Sequence, residues 1–403
     1  MKICVVHRYP LTDILSTNPS FRILLEELCA EGHRVHLVNY RKRGGEGGEH
    51  ISSLDSITHS TLGLTYDRSQ RLDRILKSIL FIFIAPLKVL VKHLRERFDV
   101  VYCDDALPVY YFFIKKLTNS RVVYRMGDLM LGYIFDVGAP VKRRLFEIAL
   151  KADVRMLNSL DNVLAISNVM RDFLLKCGVH FDRVTVVPEC IDTEMFNSSI
   201  SGEMIRSKYG ISGPLLMFQG VLVPWKGVEN LLSAMSLVLK RHSQVKIMIV
   251  GDGPSLIHLK ELSDDLGISE NVIFTGWVPF KNMPEYIAAC DIGVSLRKKN
   301  LANEMVVTTA LLQFFAIGKP VIAPKMKTIT HFVEQAENGL LFNPDDPQDL
   351  ADKLIYSIDH LDKMMKMGRR ETLLVRQTYD ISTVAAQLKD IILGANLFKP
   401  VRS

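Results

Sequence analysis

The chain lacks several features that mark common classes of protein. Its six cysteines are scattered, form no Cys-x-x-Cys pair, and in several cases lie within apolar runs. This pattern argues against a disulfide framework or a zinc site and favours buried thiols in a reducing compartment. No basic stripe interleaved with aromatic residues occurs, so nucleic acid is not an expected partner. The opening MKICVV has a strand pattern without the segments of a signal peptide, which predicts a cytoplasmic location.

Long hydrophobic runs are also missing. The longest charge-free apolar run covers residues 78–87 and contains Pro86, and it is about half as long as a bilayer-spanning helix. The flanks of this run are strongly basic between residues 68 and 97. An apolar helix with such flanks binds an anionic membrane surface, or it is a buried helix whose long cationic side chains reach out to water. The sequence leaves both alternatives open.

The patterns that are present predict an α/β protein with two domains. A chain of 403 residues exceeds what one hydrophobic core usually supports. Strand, turn and helix patterns alternate strictly between Leu215 and Asn343, which is typical of a doubly wound domain. Short apolar strands with polar or glycine residues at their carboxyl ends are also predicted in the first half of the chain. Ligands of α/β proteins bind at such ends.

Two glycine-containing turns stand at predicted strand ends. GVLVPWKG (220–227) brings Lys226 to the end of one strand, where a lysine can hold a diphosphate or can simply be solvated. GDGP (251–254) ends the next strand and opens a helix, so amides near Gly253 are expected to lie close to an anion. Leu256 replaces the third glycine of a dinucleotide fingerprint and no acidic residue follows at the required distance, which argues against a dehydrogenase.

These segments, followed by NVIFTGWV (271–278) and TALLQFFAIGKPVIAP (309–324), resemble the donor-nucleotide half of glycosyltransferase family 4. The resemblance extends upstream to the first strand and so covers nearly the whole chain. It implies the GT-B fold, with two Rossmann-like doubly wound domains facing a central cleft. We expect an acceptor-side domain at 1–185, a linker at 186–204, a nucleotide-sugar-binding domain at 205–378, and a helix at 379–403 that packs back on the first domain.

The resemblance also implies roles for single residues in the donor half. Lys226 would neutralise the leaving diphosphate. Thr308 and Thr309 would cap the helix that they open or bind phosphate, and Gln313 would bind ribose hydroxyls. Trp277 would lie at the end of the segment that contacts the nucleotide base, or it is a packing residue. The donor-binding candidates are Gly220, Gly253, Trp277, Val278, Thr308, Thr309 and Gln313.

The chain departs from the family pattern at three places. Val221 stands where the family has a second cation, an arginine. The two family glutamates fall at Met305 and Gln313, with Glu304 one position out of register. Glu304 replaces the missing carboxylate if its loop is shifted by one residue, or it is a solvated loop residue. The usual pair of glycines after the first strand is replaced by residues 16–20, of which Asn18 can adopt the same backbone.

The acceptor side has fewer candidates. In YRMGDLM (124–130), Arg125 and Asp128 lie at a strand end where family members often place acceptor-site residues, or they form a local ion pair. Asp128 is a candidate catalytic residue together with Lys226 and Glu304. We expect Asp104 to be a solvated strand end and not a metal ligand.

The resemblance predicts a retaining, metal-independent hexosyltransferase that needs no cofactor. It would move a sugar from a nucleotide-diphosphate donor to a hydroxyl group of a cell-surface glycan or lipid-linked precursor. If the basic segment at 68–97 binds a membrane, the protein would lie on the inner face of the cell membrane. If it does not, the protein is expected to be cytoplasmic. Two alternatives remain open, a sugar-nucleotide epimerase of the same fold and a catalytically inactive partner subunit.

Overall fold

The computed structural model describes residues 1–7, 19–42, 57–66, 71–104, 108–129, 131, 140–336, 339–370 and 372–394. Residues 16–18 of the altered first loop lie outside these ranges, as do most of the glycine-rich residues 41–50. The chain forms two compact units, one of Met1–Pro188 with Ile381–Ser403 and the other of Glu189–Asp380.

The first unit is built on a parallel sheet. Its strands are β1 (Lys2–His7), β2 (Arg34–Lys42), β3 (Thr58–Tyr66), β4 (Val100–Asp104), β5 (Arg121–Met126), β6 (Asn162–Ala165) and β7 (Val184–Val186). The strand order is β3-β2-β1-β4-β5-β6-β7. β1, β4 and β5 are almost continuously apolar and buried, as parallel strands covered on both faces require.

Helices follow most of these strands. They are α1 (Pro19–Ala30), α2 (Arg71–Glu96), α3 (Pro108–Leu117), α4 (Pro140–Leu157) and α5 (Asn168–Lys176). Pro86 lies inside α2 and does not end it. A proline in this position removes one helical hydrogen bond, and the burial of Ala85 and Val89 on either side of it shows that packing holds the helix at this point.

The second unit repeats the pattern around a second parallel sheet. Its strands are β8 (Leu215–Gln219), β9 (Lys246–Val250), β10 (Val272–Gly276), β11 (Ile292–Val294), β12 (Val321–Pro324) and β13 (Gly339–Phe342), in the order β10-β9-β8-β11-β12-β13. Successive side chains of β8 pack into hydrophobic clusters on opposite faces of the sheet. Met217 packs on one face of the sheet and Phe218 on the other, which is the period-two alternation of a strand buried on both sides.

The helices of the second unit cover both faces of its sheet. They are α6 (Glu203–Lys208), α7 (Val228–Val238), α8 (Leu256–Asp265), α9 (Met283–Ala289), α10 (Thr309–Ile317), α11 (Lys327–Ala336), α12 (Pro347–Asp359), α13 (Leu361–Arg370) and α14 (Thr372–Tyr379). The core of α7 lies on one face and that of α10 on the other. The predicted α/β class with Rossmann-like, doubly wound domains is therefore confirmed.

The last described helix, α15 (Ile381–Leu393), belongs to the first unit. It packs against α1, where Lys389 Nζ lies 3.0 Å from a Glu27 carboxylate oxygen and 2.7 Å from one of Glu31. Gln387 Nε2 donates a hydrogen bond to the Val186 carbonyl oxygen at 2.9 Å. These polar contacts hold α15 against α1 and β7.

Candidate functional site

The candidate site lies at the carboxyl edge of the second sheet, where the strand order reverses between β8 and β11. These two strands pair in parallel through Leu216 and Ile292, so the chain leaves both at the same edge. A reversal of strand order opens a crevice outside the strand ends, and α/β proteins bind ligands there. The site is therefore built from residues 220–227 after β8 and residues 295–308 after β11.

The backbone after β8 lies against the backbone after β9. The Leu222 amide donates to the Asp252 carbonyl oxygen at 2.9 Å. A Cβ atom at Gly251 would lie 2.0 Å from the Gly220 carbonyl oxygen, and one at Gly253 would lie 2.3 Å from the Leu222 carbonyl oxygen. Only glycine fits at these two positions. The Gly253 amide, predicted to face an anion, donates to the Asp252 carboxylate at 2.7 Å.

Lys226 ends the 3₁₀ turn Pro224–Lys226, which leads into α7. Its amide donates to the Val223 carbonyl oxygen at 3.0 Å. Gly227 follows with a φ of +74°, a left-handed conformation that strains any residue with a Cβ atom. The Lys226 side chain is half-buried, whereas Trp225 beside it is exposed. This turn places Lys226 at the carboxyl edge of the sheet, where the sequence predicts it.

A second lysine, Lys298, lies against the same turn. Its amide donates to the Trp225 carbonyl oxygen at 3.2 Å, and its own carbonyl oxygen accepts from Asn303 Nδ2 at 2.8 Å. Its Cγ and Cε atoms lie 3.6 and 3.8 Å from the point where a Cβ of Gly227 would be. Asn303 is buried and its Oδ1 accepts from Arg297 Nη1 at 2.8 Å. The segment after β11 is thereby joined to the turn after β8.

The N-terminus of α10 faces the same edge. Thr308 is the N-cap, and its hydroxyl oxygen accepts from the Leu311 amide at 3.2 Å, so the predicted capping is confirmed for Thr308. Thr309 is the first helical residue and is exposed. The first amides of a helix have no acceptor within it, and they attract an anion. Gln313, one turn further along, is buried within α10.

Gln219 is a site residue that sequence reasoning missed. It is the last residue of β8, and its buried Nε2 has no hydrogen-bond partner among the described residues. Strand alternation places it on the face of Met217, whose core cluster includes Leu311 and Leu312 of α10. A buried donor without a partner costs about 1–3 kcal/mol. The signal in the sequence is a polar residue that ends the apolar run LLMFQ.

Glu304 is neither solvated nor unpartnered. It lies in the 3₁₀ turn Asn303–Met305 and is 8% exposed. One carboxylate oxygen accepts from the Lys327 amide at the start of α11 at 3.1 Å. The alternative of a solvated loop carboxylate is therefore wrong, because the turn packs against α11. Met305, the in-register position, is also buried.

Trp277 and Val278 follow β10 and have different environments. Trp277 is 71% exposed, which contradicts the packing alternative for its side chain. Val278 is partly buried and packs against the core cluster on the α10 face. Gly276 precedes them with a φ of +69° and turns the chain out of the strand. An exposed aromatic ring at a carboxyl edge of the sheet suits stacking against a base.

The first unit holds a buried polar row at the carboxyl ends of three strands. Asp104 of β4 lies opposite His7 of β1 and opposite Arg125 of β5. Asp104 and Arg125 are 4% and 7% exposed, and their charged groups approach to 3.5 Å. The expectation of a solvated Asp104 is wrong, since its carboxylate is paired in the interior. Asp128 lies just beyond β5 and is half-buried.

Three of the cysteines have buried thiols. Cys4, Cys103 and Cys290 are buried, and burial raises the pKa of the Cys290 thiol to about 12. A thiol that stays protonated is neither a nucleophile nor a metal ligand. Across the described ranges, no group of three or more His, Cys, Asp or Glu side chains is arranged to hold a metal ion.

Two family models match the chain in consecutive ranges. Residues 20–195 match the model described as Glycosyltransferase Family 4, and residues 203–372 match Glycosyl transferases group 1. The chain belongs to glycosyltransferase family 4. The match to the second model includes both segments of the site.

Curated relatives match only part of the chain. GDP-mannose-dependent alpha-(1-6)-phosphatidylinositol monomannoside mannosyltransferase of Mycobacterium tuberculosis is 26% identical over 212 residues, which cover 52% of this chain and 55% of the relative. Alpha-monoglucosyldiacylglycerol synthase of Streptococcus pneumoniae is 29% identical over 192 residues, which cover 46% of this chain and 42% of the relative. The chain thus spans about half the length of the curated relatives that it matches.

A solved structure shows the same fold over nearly the whole chain. The crystal structure of Anabaena HepE in complex with UDP has a TM-score of 0.72 and 19% sequence identity, and the match covers 98% of this chain and 100% of that one. Val221 in the turn after β8 is exposed and uncharged, and Lys226 is the one cationic residue within 220–227.

Proposed function

We propose that this member of family 4 is a retaining, metal-independent glycosyltransferase. It moves a sugar from a nucleotide-diphosphate donor to a hydroxyl group of an acceptor. The observation that carries the proposal is the placement of the Lys226 turn and the N-terminus of α10 at the switch point of the second sheet. HepE, which shares the fold, was solved with bound UDP.

Negative charge develops on the leaving diphosphate as the bond to the sugar breaks. Lys226 and the first amides of α10, near Thr309, stabilise this charge, because preorganised donors act most strongly where charge develops. Gln313 and Trp277 take the ribose and the base. Gln219 has a buried amide that lacks an acceptor among the described residues, so it is a further donor to the bound nucleotide.

The acceptor is a glycan or a lipid-linked precursor, and α2 supports the second choice. Leu87, Val91 and Leu94 lie on one stripe of this helix and are 60%, 47% and 73% exposed. Phe113 and Leu117 of the adjacent α3 are exposed as well. The cations that accompany the stripe are Lys88, Lys92, Arg95 and Lys116. Exposed apolar side chains with flanking cations favour an anionic membrane surface.

In the part of α2 whose side chains are described, residues 84–96, the side opposite the exposed stripe is buried. Ala85 and Val89 pack into the first unit. Residues 68–70 and the side chains of residues 71–83 lie outside the described residues. No described helix is both long enough and apolar enough to cross a bilayer. The names of both curated relatives above include a lipid, phosphatidylinositol in one and diacylglycerol in the other. We propose peripheral binding.

One observation favours a second candidate function. The carboxylate of Glu304 is engaged by α11, and Val221 carries no charge. A catalytically inactive subunit that keeps the nucleotide site would have this pattern. A transferase and an inactive subunit both bind nucleotide, but only the transferase turns it over.

A thermal-shift screen with UDP, GDP and their sugar conjugates tests the proposal. A ligand at a hundred times its Kd stabilises the folded protein by about 2.7 kcal/mol. The conjugate that gives the largest shift is then incubated with and without acceptor. Acceptor-dependent release of the nucleoside diphosphate supports a transferase, and an isomerised donor without acceptor supports an epimerase. Binding without turnover supports the inactive subunit, and no binding by any of these ligands contradicts the proposal.

A further inference from the structure

We infer that Lys298 is a second cation of the donor diphosphate site and acts beside Lys226. The inference rests on the proposed function and names a residue that the family pattern does not. It comes from the contact between two segments that leave neighbouring strands, β8 and β11.

The backbone of Lys298 is fixed on both sides. Its amide donates to the Trp225 carbonyl oxygen at 3.2 Å, and its carbonyl oxygen accepts from the buried Asn303 side chain at 2.8 Å. The residue therefore cannot move away from the Lys226 turn without breaking these bonds. A group held in place before the ligand arrives loses less entropy on binding.

The side chain of Lys298 extends across the turn. Its Cγ and Cε atoms lie 3.6 and 3.8 Å from the position of a Cβ on Gly227, which directly follows Lys226. Consecutive Cα atoms are about 3.8 Å apart, so the stem of Lys298 crosses the chain next to Lys226. Lys298 is exposed, so its side chain is accessible to an anion from solution.

Two adjacent positive charges, those of Arg297 and Lys298, lie in the segment that contacts this turn. Neither Lys298 nor its neighbour Arg297 forms an ion pair with any described residue. The Nε atom of Arg297 is buried and has no hydrogen-bond partner within the described ranges. Cations held together in this way repel one another unless an anion lies between them. A nucleoside diphosphate supplies that anion.

Isothermal titration calorimetry with UDP and GDP tests the inference on the whole protein. We expect Lys298→Gln to weaken binding of the favoured nucleotide about tenfold, the low end for a charge-assisted hydrogen bond at an exposed site. Lys298→Arg should bind within about threefold of the wild type, because it keeps the charge. Lys299→Gln is the matched control, since it removes the same charge from the adjacent exposed lysine. It should bind like the wild type.

A second readout separates charge from structure. The affinity of Lys298→Gln should fall less steeply with added salt than that of the wild type, since one screened interaction is gone. Its melting temperature should not change. If the wild type binds nucleotide and Lys298→Gln binds it as tightly as Lys299→Gln does, the inference about Lys298 is wrong while the proposed function stands. A wild type that binds neither UDP nor GDP would overturn the proposed function and this inference with it.

Discussion

Glu304 and Lys327 form a contact that joins two parts of the second unit. The Glu304 carboxylate accepts a hydrogen bond from the Lys327 amide at 3.1 Å, and the Glu304 carbonyl oxygen accepts from the Thr328 hydroxyl at 2.8 Å. Lys327 begins α11, so the carboxylate lies at the positive end of that helix. A buried loop carboxylate thus has a structural partner, which the family pattern alone does not reveal.

This contact predicts a loss of stability in Glu304→Gln. The glutamine side chain keeps an acceptor oxygen but lacks the negative charge at the helix N-terminus. The free energy of unfolding should therefore fall by about 1 kcal/mol. Urea denaturation measures this difference. Glu334→Gln, on the exposed side of α11, is the control and should leave stability unchanged within about 0.5 kcal/mol. A large loss of turnover at unchanged stability would instead support the catalytic role that the sequence suggests.

The in-register position, Met305, does not accept a carboxylate as readily as the sequence pattern implies. Met305 is 2% exposed and faces the interior. An unpaired charge at such a position costs several kcal/mol. A carboxylate in place of the Met305 side chain would carry this cost.

The sequence predicts local features of the fold better than contacts between distant segments. Periodicity predicts a strand in the opening MKICVV, and β1 covers Lys2–His7, because a short apolar run is itself the signal. The N-cap at Thr308 is predicted for the same reason, since a cap involves neighbours in sequence. The α/β class follows from the order of these elements.

The parts that the sequence does not predict depend on residues far apart in the chain. Lys298 reaches the Lys226 turn because β8 and β11 are neighbours in the sheet, which no local pattern states. Asp104 appears as a strand-end carboxylate in the sequence, and its partner Arg125 is known only from the register of β4 and β5. Contacts of this kind can be predicted only after the order of the strands in the sheet is known.

The role proposed for Lys226 predicts a large kinetic effect. Lys226→Ala should lower turnover roughly a hundredfold or more, because it removes one preorganised charge from the leaving diphosphate. The melting temperature should stay near that of the wild type. Steady-state kinetics with the preferred sugar nucleotide measures the effect, and Lys240→Ala, which changes an exposed lysine beyond α7, is the control. Near-normal turnover of Lys226→Ala would contradict the proposal that Lys226 stabilises the leaving diphosphate.

Asp153 on α4 predicts a pH dependence of stability. Burial raises the pKa of its carboxyl from 3.8 to about 6 in the folded protein. Since the folded pKa is the higher one, the folded state is favoured below about pH 4 and loses this advantage as the pH rises through about 6. Asp153→Asn should therefore raise stability on the order of 2 kcal/mol at pH 7.5 and only by a few tenths near pH 4.

Urea denaturation at the two pH values measures this difference. Asp172→Asn, an exposed carboxylate on α5, is the control and should show no such pH-dependent gain. Equal gains for Asp153→Asn at both pH values would show that the carboxyl is not penalised by burial.

The exposed stripe of α2 predicts salt-sensitive binding to anionic vesicles. Wild-type protein should sediment with vesicles that contain phosphatidylglycerol, and less so as salt is added. Changing Lys88 and Lys92 together to glutamine should weaken binding about tenfold, since each cation near the surface contributes about 1 kcal/mol and Lys92 is already paired with Glu96 at 2.9 Å.

Two further variants sharpen the vesicle experiment. Leu87→Ser with Leu94→Ser should weaken binding without changing its salt dependence, because these side chains contribute apolar area. Lys240→Gln with Lys260→Gln removes the same charge from the second unit and should bind like the wild type. If the wild type stays in the supernatant, the lipid-linked acceptor loses its main support.

Gln219 predicts opposite effects on stability and on ligand binding. Its buried Nε2 lacks a partner among the described residues, so replacing the amide by an apolar group of similar size removes a desolvation cost. Gln219→Met should therefore raise the free energy of unfolding by about 1 kcal/mol. It should also reduce the thermal shift that the preferred nucleotide produces, because a donor to the ligand is lost. Gln244→Met, which changes an exposed amide before β9, should alter neither quantity. Lower stability of Gln219→Met with a full nucleotide shift would show that the amide serves the fold and not the ligand.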